Sequence, residues 1–253
     1  MDSKIRYILS AMLISASVTH AGAAPTSDWK VDIAPYIWAI NLNGDVGVGK
    51  YEAHIDESFS NLLKDLDIGA MLWVNIHYKK FGVFADPVYG KLSNNSTVDG
   101  VKIDTTDVYS VIGTGASYQV LQVPMSRDSR FTLEPYAGAR ITINNTTLKV
   151  LGDSFKKDEQ WTDIIIGSRA IFDFGQTWHI SLSSDYGGMT GGDHHSYNLV
   201  GVAGYTFALK PIPFSVYAGY RYLDQFFTTG NGPDFYKWDM AVFGPLLGLN
   251  MQF

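Results

Sequence analysis

The stretch GGDHHSY, residues 191–197, sets Asp193, His194, His195 and Ser196 side by side, with Asp185 a few residues upstream. Acid, imidazole and hydroxyl are the parts of a hydrolase. A catalytic base must lie within hydrogen-bond reach of its nucleophile and be oriented by a third group. Adjacency in a Gly-rich stretch does not supply that geometry, so the plain reading is a solvated surface loop. His194 and His195 are also weak metal-ligand candidates on the same loop. A second set of charges is spread along the chain: Glu134, Arg140, Asp163, Arg169, Asp173, Asp185 and Arg221. Gathered in one compartment they form either an ion-paired plug or the lining of a narrow pore. Buried partners must satisfy one another or they destabilise strongly. Both signs are present, so no selectivity filter is evident. His77 and His179 read as further polar residues of that compartment.

Other chemistry is excluded. The 253 residues contain no Cys, which removes thiol catalysis, disulfides, thiolate metal sites and a lipid-modified cysteine. No HExxH, GxSxG or phosphate-binding Gly-rich motif occurs. A net charge of −6 argues against nucleic acid as a partner. No cofactor is expected.

The elements that carry these residues alternate with period two almost everywhere, and long 3.6-period stretches are absent. In FTLEPYAGARITIN (131–144) one parity is wholly apolar, and the other carries Glu134, Tyr136, Arg140 and hydroxyls. Residues 68–78, 161–174, 178–186 and 214–222 repeat the pattern. About ten strands follow, near 29–42, 68–79, 81–93, 103–120, 131–150, 157–174, 177–188, 196–209, 213–224 and 236–253. Short turns after 79, 174 and 209 alternate with long polar links at 43–67, 94–102, 151–156, 189–195 and 225–235. Within the first link, 51–58 reads as the descending arm of a hairpin. A short helix follows over 58–66, with Ser58 as its N-cap. If that arm spans the barrel, the count rises to twelve.

Ahead of the strands, Lys4 and Arg6 precede an apolar run from Tyr7 to Val18 and the small-residue site Ala21-Gly22-Ala23. This is the pattern of a secretory signal over residues 1–23, leaving 24–253 as the barrel. The run is too short to cross roughly 30 Å of hydrocarbon as a helix.

Alternating strands fit a soluble barrel with its apolar face inside, or a membrane barrel with that face outside. Two features favour the second. Aromatic residues flank the apolar face as a girdle: Phe131, Phe174, Trp178, Phe207 and Phe214 toward the short turns, Trp161, Tyr186 and Tyr222 toward the long links. From Trp178 to Tyr186, and from Phe214 to Tyr222, the rise at ~3.3 Å per residue and ~40° tilt approximates the ~25 Å lipid-facing band. The chain also closes on FGPLLGLNMQF, where Leu247, Leu249, Met251 and Phe253 share one parity. That ending looks like the targeting signal read by the outer-membrane insertion machinery.

The stretches APYIWAINLNGDVGVG (34–49), FSNLLKDLDIGAM (59–71), FGVFADPVYGKLS (81–93) and GPLLGLNMQF (244–253) together resemble a largely uncharacterised family of proteobacterial outer-membrane β-barrel proteins. The resemblance covers most of the chain after the signal. It implies fold and location, and its motifs define no active site. The expectation is an all-β, transmembrane up-and-down antiparallel barrel in the outer membrane of a Gram-negative bacterium. Its partners would be lipid, lipopolysaccharide and the insertion machinery, with small solutes or surface ligands as further candidates. The expected role is a narrow passive channel or a closed barrel with surface loops. The alternatives are a rim hydrolase on the 185–196 stretch and a hydrophobic-ligand transporter gated by the 58–66 helix.

Overall fold

The computed structural model describes residues 28–98, 101–150, 153–175, 177–188, 193–207 and 213–253. The signal-peptide expectation lies outside these residues. The strands are β1 (Trp29–Trp38), β2 (Asn41–Val48), β3 (Tyr51–Glu57), β4 (Leu66–Tyr78), β5 (Phe81–Val98), β6 (Val101–Tyr118) and β7 (Leu121–Pro124). They continue as β8 (Ser129–Val150), β9 (Asp153–Phe174), β10 (Trp178–Gly188), β11 (Asp193–Phe207), β12 (Phe214–Thr229) and β13 (Tyr236–Gln252), with one helix, α1 (Phe59–Asp65). Neighbours run β1-β4-β5-β6-β8-β9-β10-β11-β12-β13, and β13 pairs back onto β1, so ten antiparallel strands close a barrel.

The seam of closure explains why the count is ten. β13 is a long strand with two partners in sequence. Its lower half pairs with β1, Asp32 opposite Gln252 up to Trp38 opposite Leu246. Its upper half pairs with β2, Asn41 opposite Phe243 up to Val48 opposite Tyr236. The chain bends between them, where the Ala39 N–H donates to the Pro245 carbonyl at 2.9 Å. β3 then folds back on β2 and does not cross the barrel. Ser58 occupies the N-cap position of α1 but makes no capping bond to the helix. Its hydroxyl pairs with that of Ser60 at 3.0 Å instead.

Two links expected to be loops are largely strand, and a third is strand over its first part. The β5–β6 ladder runs unbroken to Val98 opposite Val101, and the β8–β9 ladder to Val150 opposite Asp153. β12 likewise continues to Thr229 before a short 3-10 turn at Gly232–Asp234. Pairing across each hairpin satisfies the backbone groups that face the partner strand, and water satisfies those on the outer edges, so the ladders extend without needing a core. Polarity there reports solvent on both faces, not loss of strand geometry.

The two faces of the wall are inverted relative to a soluble barrel. Ile37, Ile166, Leu182, Leu199, Leu247 and Leu249 stand exposed on the outside. Glu134, Arg140, Asp163, Asp185 and Arg221 are buried inside. A continuous exposed apolar belt of this kind is what meets hydrocarbon. Phe174, Trp178, Phe207, Tyr186 and Tyr222 are exposed on the outer face, and Phe131 and Phe214 lie half-buried on that face. Trp161 departs from the expected girdle: it is buried inside the barrel. Its odd number places it on the parity of Asp163 and Arg169, and strand geometry sends it inward with them.

Candidate functional site

The site is the barrel interior, and it is built in three levels. Nearest the short turns is a hollow of about 590 Å³. Its mouth is ringed by Lys30, Arg130, Gly175, Pro213 and Gln252. Asp173 sits just inside, accepting from Arg130 at 3.1 Å and paired with His179 Nδ1 at 2.8 Å. Asp32 accepts from the side-chain amides of Asn250 and Gln252. Tyr217 lies across Gly248, its partner in the β12–β13 ladder. A Cβ at Gly248 would fall 2.4 Å from the phenol ring, so only glycine leaves room.

The second level is a network of charges that roofs the hollow. Glu134 is fully buried on β8. Its Oε1 accepts from Arg169 at 2.8 Å and its Oε2 pairs with His77 Nε2 at 3.0 Å. The Arg169 guanidinium lies 4.7 Å over the Trp73 ring, a cation–π contact that holds it flat against the wall. Next along, Asp185 accepts from Tyr136 and Asn198, each at 2.9 Å, and from Arg140. Arg140 also donates to Ser196 Oγ at 2.7 Å, and Ser196 donates to Asp163 at 2.8 Å. Arg221 reaches Asp86 at 2.8 Å, Tyr36 at 3.2 Å and Asn198 at 3.0 Å. The network thus joins β1, β4, β5, β8, β9, β10, β11 and β12, and it crosses the interior from wall to wall.

The third level is apolar. Trp38, Val88, Val111, Trp161, Leu223, Phe227, Trp238, Met240, Val242 and Leu246 form one buried cluster above the charges. Trp161 stacks on Phe227 with centroids 4.5 Å apart and planes within 6°. Trp238 stacks on Tyr109 at 5.5 Å. Gln225 is fully buried there, donating to Thr142 at 2.7 Å and accepting from Tyr109. Leu223 and Val242 are inaccessible to solvent.

The 185–196 stretch is not a loop at its end. β11 begins at Asp193, so His194 and His195 are consecutive strand residues and face opposite sides of the wall. His194 turns inward, with Nδ1 2.6 Å from Asp163. His195 turns outward and stacks between Phe226 at 5.1 Å and Tyr186 at 6.5 Å. The pair therefore cannot share a metal ion. No cluster of three or more potential ligands exists among the described residues. Ser196 has no solvent exposure, and its hydroxyl engages Asp163 and Arg140. Asp163 lies between Ser196 and His194, which is not the nucleophile–base–acid order of a hydrolase.

Several residues of the network escape sequence reasoning. Asp86 is one, hidden in ADPVYG beside Pro87; Tyr36, Asn198 and Gln225 are others. Tyr36, Asn198 and Gln225 share parity with an ionisable residue on their own strand (Asp32, His194 and Arg221), whereas Asp86 has no such neighbour on β5. The C-terminal residues Leu247, Leu249, Met251 and Phe253 all stand exposed on the outer face. Phe253 exchanges backbone bonds with Val31 at 2.9 and 3.0 Å, so the last residue is held by the closing seam.

No protein-family model matches the chain, and no curated protein does. Solved structures with similar architecture include the outer membrane protease OmpT from Escherichia coli. It is 8% identical, with a TM-score of 0.48, covering 92% of this chain and 98% of that one. Ail, the attachment invasion locus protein of Yersinia pestis, is 11% identical at a TM-score of 0.36, covering 89% and 98%. Neisserial surface protein A is 13% identical at 0.31, covering 90% and 98%. At these identities and scores the likenesses assign no activity.

Proposed function

We propose that the chain is a closed, non-conducting barrel of a Gram-negative outer membrane. Its hollow opens to the periplasm and its long hairpins stand on the cell surface. One observation carries this reading: the buried aromatic and aliphatic layer fills the interior above the charge network. Water and ions need a continuous polar path, and an interior of about ten strands is narrow enough for side chains to fill it. The outward apolar belt with aromatic residues at both edges supports the membrane assignment. Leu247, Leu249, Met251 and Phe253 then serve as the signal for the insertion machinery. Lipid and lipopolysaccharide are the partners of the belt. The enclosure and bonding of Ser196 favour a non-enzymatic role. Mechanically, the cross-wall network ties eight strands together, so the barrel is a rigid platform that presents the β5–β6 and β8–β9 hairpins.

The test is conductance of the refolded chain in a planar bilayer. Folded protein is expected to insert silently. Reproducible current steps that scale with salt would overturn the reading and make the charges pore-lining groups.

A further inference from the structure

The barrel wall is interrupted on one side. The β1–β4 ladder ends at Pro35 opposite Leu72, and β4 residues 66–71 keep their pairing to β5 alone. The Trp38 N–H lies past the last rung and donates to the Met71 sulfur at 3.1 Å. Above it the chain departs along β13 as β2 and β3. What stands in the interval is α1, and none of its residues is buried. It is tethered at its start by the Phe59 N–H to Asn41 Oδ1 at 3.0 Å, and at its end by Asn94 to Asp65 at 2.8 Å. A helix of about two turns with no buried residue, held by two polar tethers, sits at the low-stability end of a fold.

Behind α1 lies an apolar pocket of about 100 Å³, bounded by Phe59, Leu62, Met71, Ile40, Trp38 and Trp238. Its floor is bare because Gly69 and Gly90 face each other across β4 and β5. A Cβ built on Gly90 meets nothing within 4 Å. The indole N–H groups of Trp38 and Trp238 are buried without acceptors. On the outside, Leu63, Leu66 and Ile68 stand exposed around the opening. Ala70 is as many residues above Tyr78 as Tyr186 is above Trp178, so the interval lies at the upper edge of the apolar belt.

We propose that this interval is a lateral port, gated by α1, that takes up the hydrocarbon chain of an amphiphile from the outer leaflet. This rests on the membrane reading above. The closed pocket is smaller than the roughly 150 Å³ cavity that admits benzene. It therefore holds a chain end while α1 is seated, and more when α1 lifts.

Bromine quenches indole emission on contact, so the native tryptophans are the probe. The full-length barrel is placed in plain phosphatidylcholine vesicles titrated with 12-bromododecanoate. In parallel it is placed in vesicles of chain-brominated phosphatidylcholine. Trp38 and Trp238 are two of six tryptophans, so pocket occupancy removes up to about a third of the emission. Gly90→Leu fills the pocket and is expected to restore that fraction, as is Gly69→Leu. Trp38→Phe together with Trp238→Phe removes it from the signal. Relief in the dodecanoate arm identifies a free amphiphile, and relief in the other arm identifies a lipid tail. Equal quenching of the parent and both glycine variants in both arms overturns the port. The outward Trp29 and Trp178 report insertion independently. If they escape the brominated phospholipid, the membrane reading has failed, not the port alone.

Discussion

Glu134 is the place to test whether the interior charges are paired out of water. The perturbation is Glu134→Leu. Glu134 is fully buried and Arg169 is 8% exposed, so deleting the carboxylate strands a guanidinium left only against the Trp73, Phe84 and Tyr136 rings, with no anion to pair it. Removing one partner of a buried pair costs about 3–5 kcal/mol, since the other charge is left uncompensated. That corresponds to a roughly 150- to 5,000-fold shift in the folding equilibrium. Adding Arg169→Met removes the stranded charge and keeps a side chain that packs on Trp73, as thioethers do on aromatic rings. The double variant is expected to recover at least about 2 kcal/mol of the loss, a coupling within the range of contacting residues. The assay is reversible urea titration in phospholipid vesicles, followed by tryptophan emission and run from both directions. If the double variant is as unstable as Glu134→Leu alone, water in the hollow already solvates Arg169. The roof of the hollow would then be a wet surface.

Direction of the wall is tested by Leu249→Arg, on the exposed face about 13 Å along the strand from Phe253, roughly 10 Å in height at ~40° tilt. It should cost about 2–4 kcal/mol in vesicles, as a charge near the bilayer midplane does. Ser181→Arg, projecting into the hollow, should change urea stability by less than about 1 kcal/mol. Equal costs would contradict the inside-out assignment. His194→Ala should lower stability by about 1–3 kcal/mol by leaving buried Asp163 short of a partner, while His195→Ala stays within about 1 kcal/mol. Neither should alter binding of zinc measured by calorimetry, whereas loss of a zinc isotherm in either variant would restore a metal role. Asp86→Asn with Arg221→Met should leave the bilayer silent, and Trp161→Ala with Leu223→Ala should produce small current steps. The reverse pattern would place the seal in the charges.

Parity made the barrel legible. Once Glu134 and Arg140 share a face on β8, and Asp163 and Arg169 on β9, strand geometry places all four on one side of the wall. The same rule placed Trp161 inside, and treating it by residue type, as an interfacial aromatic, put it on the wrong face. In the 94–102 and 151–156 links polarity alone suggests a loop, and the ladders run through them instead. A hairpin standing in water on both sides has no apolar parity to show. Partner choice was not legible at all. Arg221 meets Asp86 across 135 positions of sequence. That pairing depends on how far each strand is staggered around the barrel, which no local pattern encodes. His194 and His195 show the converse: adjacency invites a joint role, and period two forbids it.

The position of the seal follows from which strands supply which side chains. The charges come from mid-strand positions of β5, β8, β9, β10 and β12, where inward side chains on opposite walls reach one another. The set brings opposite signs to contact distance, Asp86 facing Arg221, and each carboxylate of Glu134, Asp163 and Asp185 already has two or more partners. It has no spare field to draw an ion through. Above it, β13 contributes Trp238, Met240, Val242 and Leu246 on alternate positions, and this is the strand that changes partner from β1 to β2. The aromatic layer therefore sits at the level where the wall is least continuous. An apolar filling suits a gap toward lipid, since apart from the indole N–H groups it leaves little that needs a polar partner there. The closed interior and the interrupted wall are consequences of the same bend at Ala39.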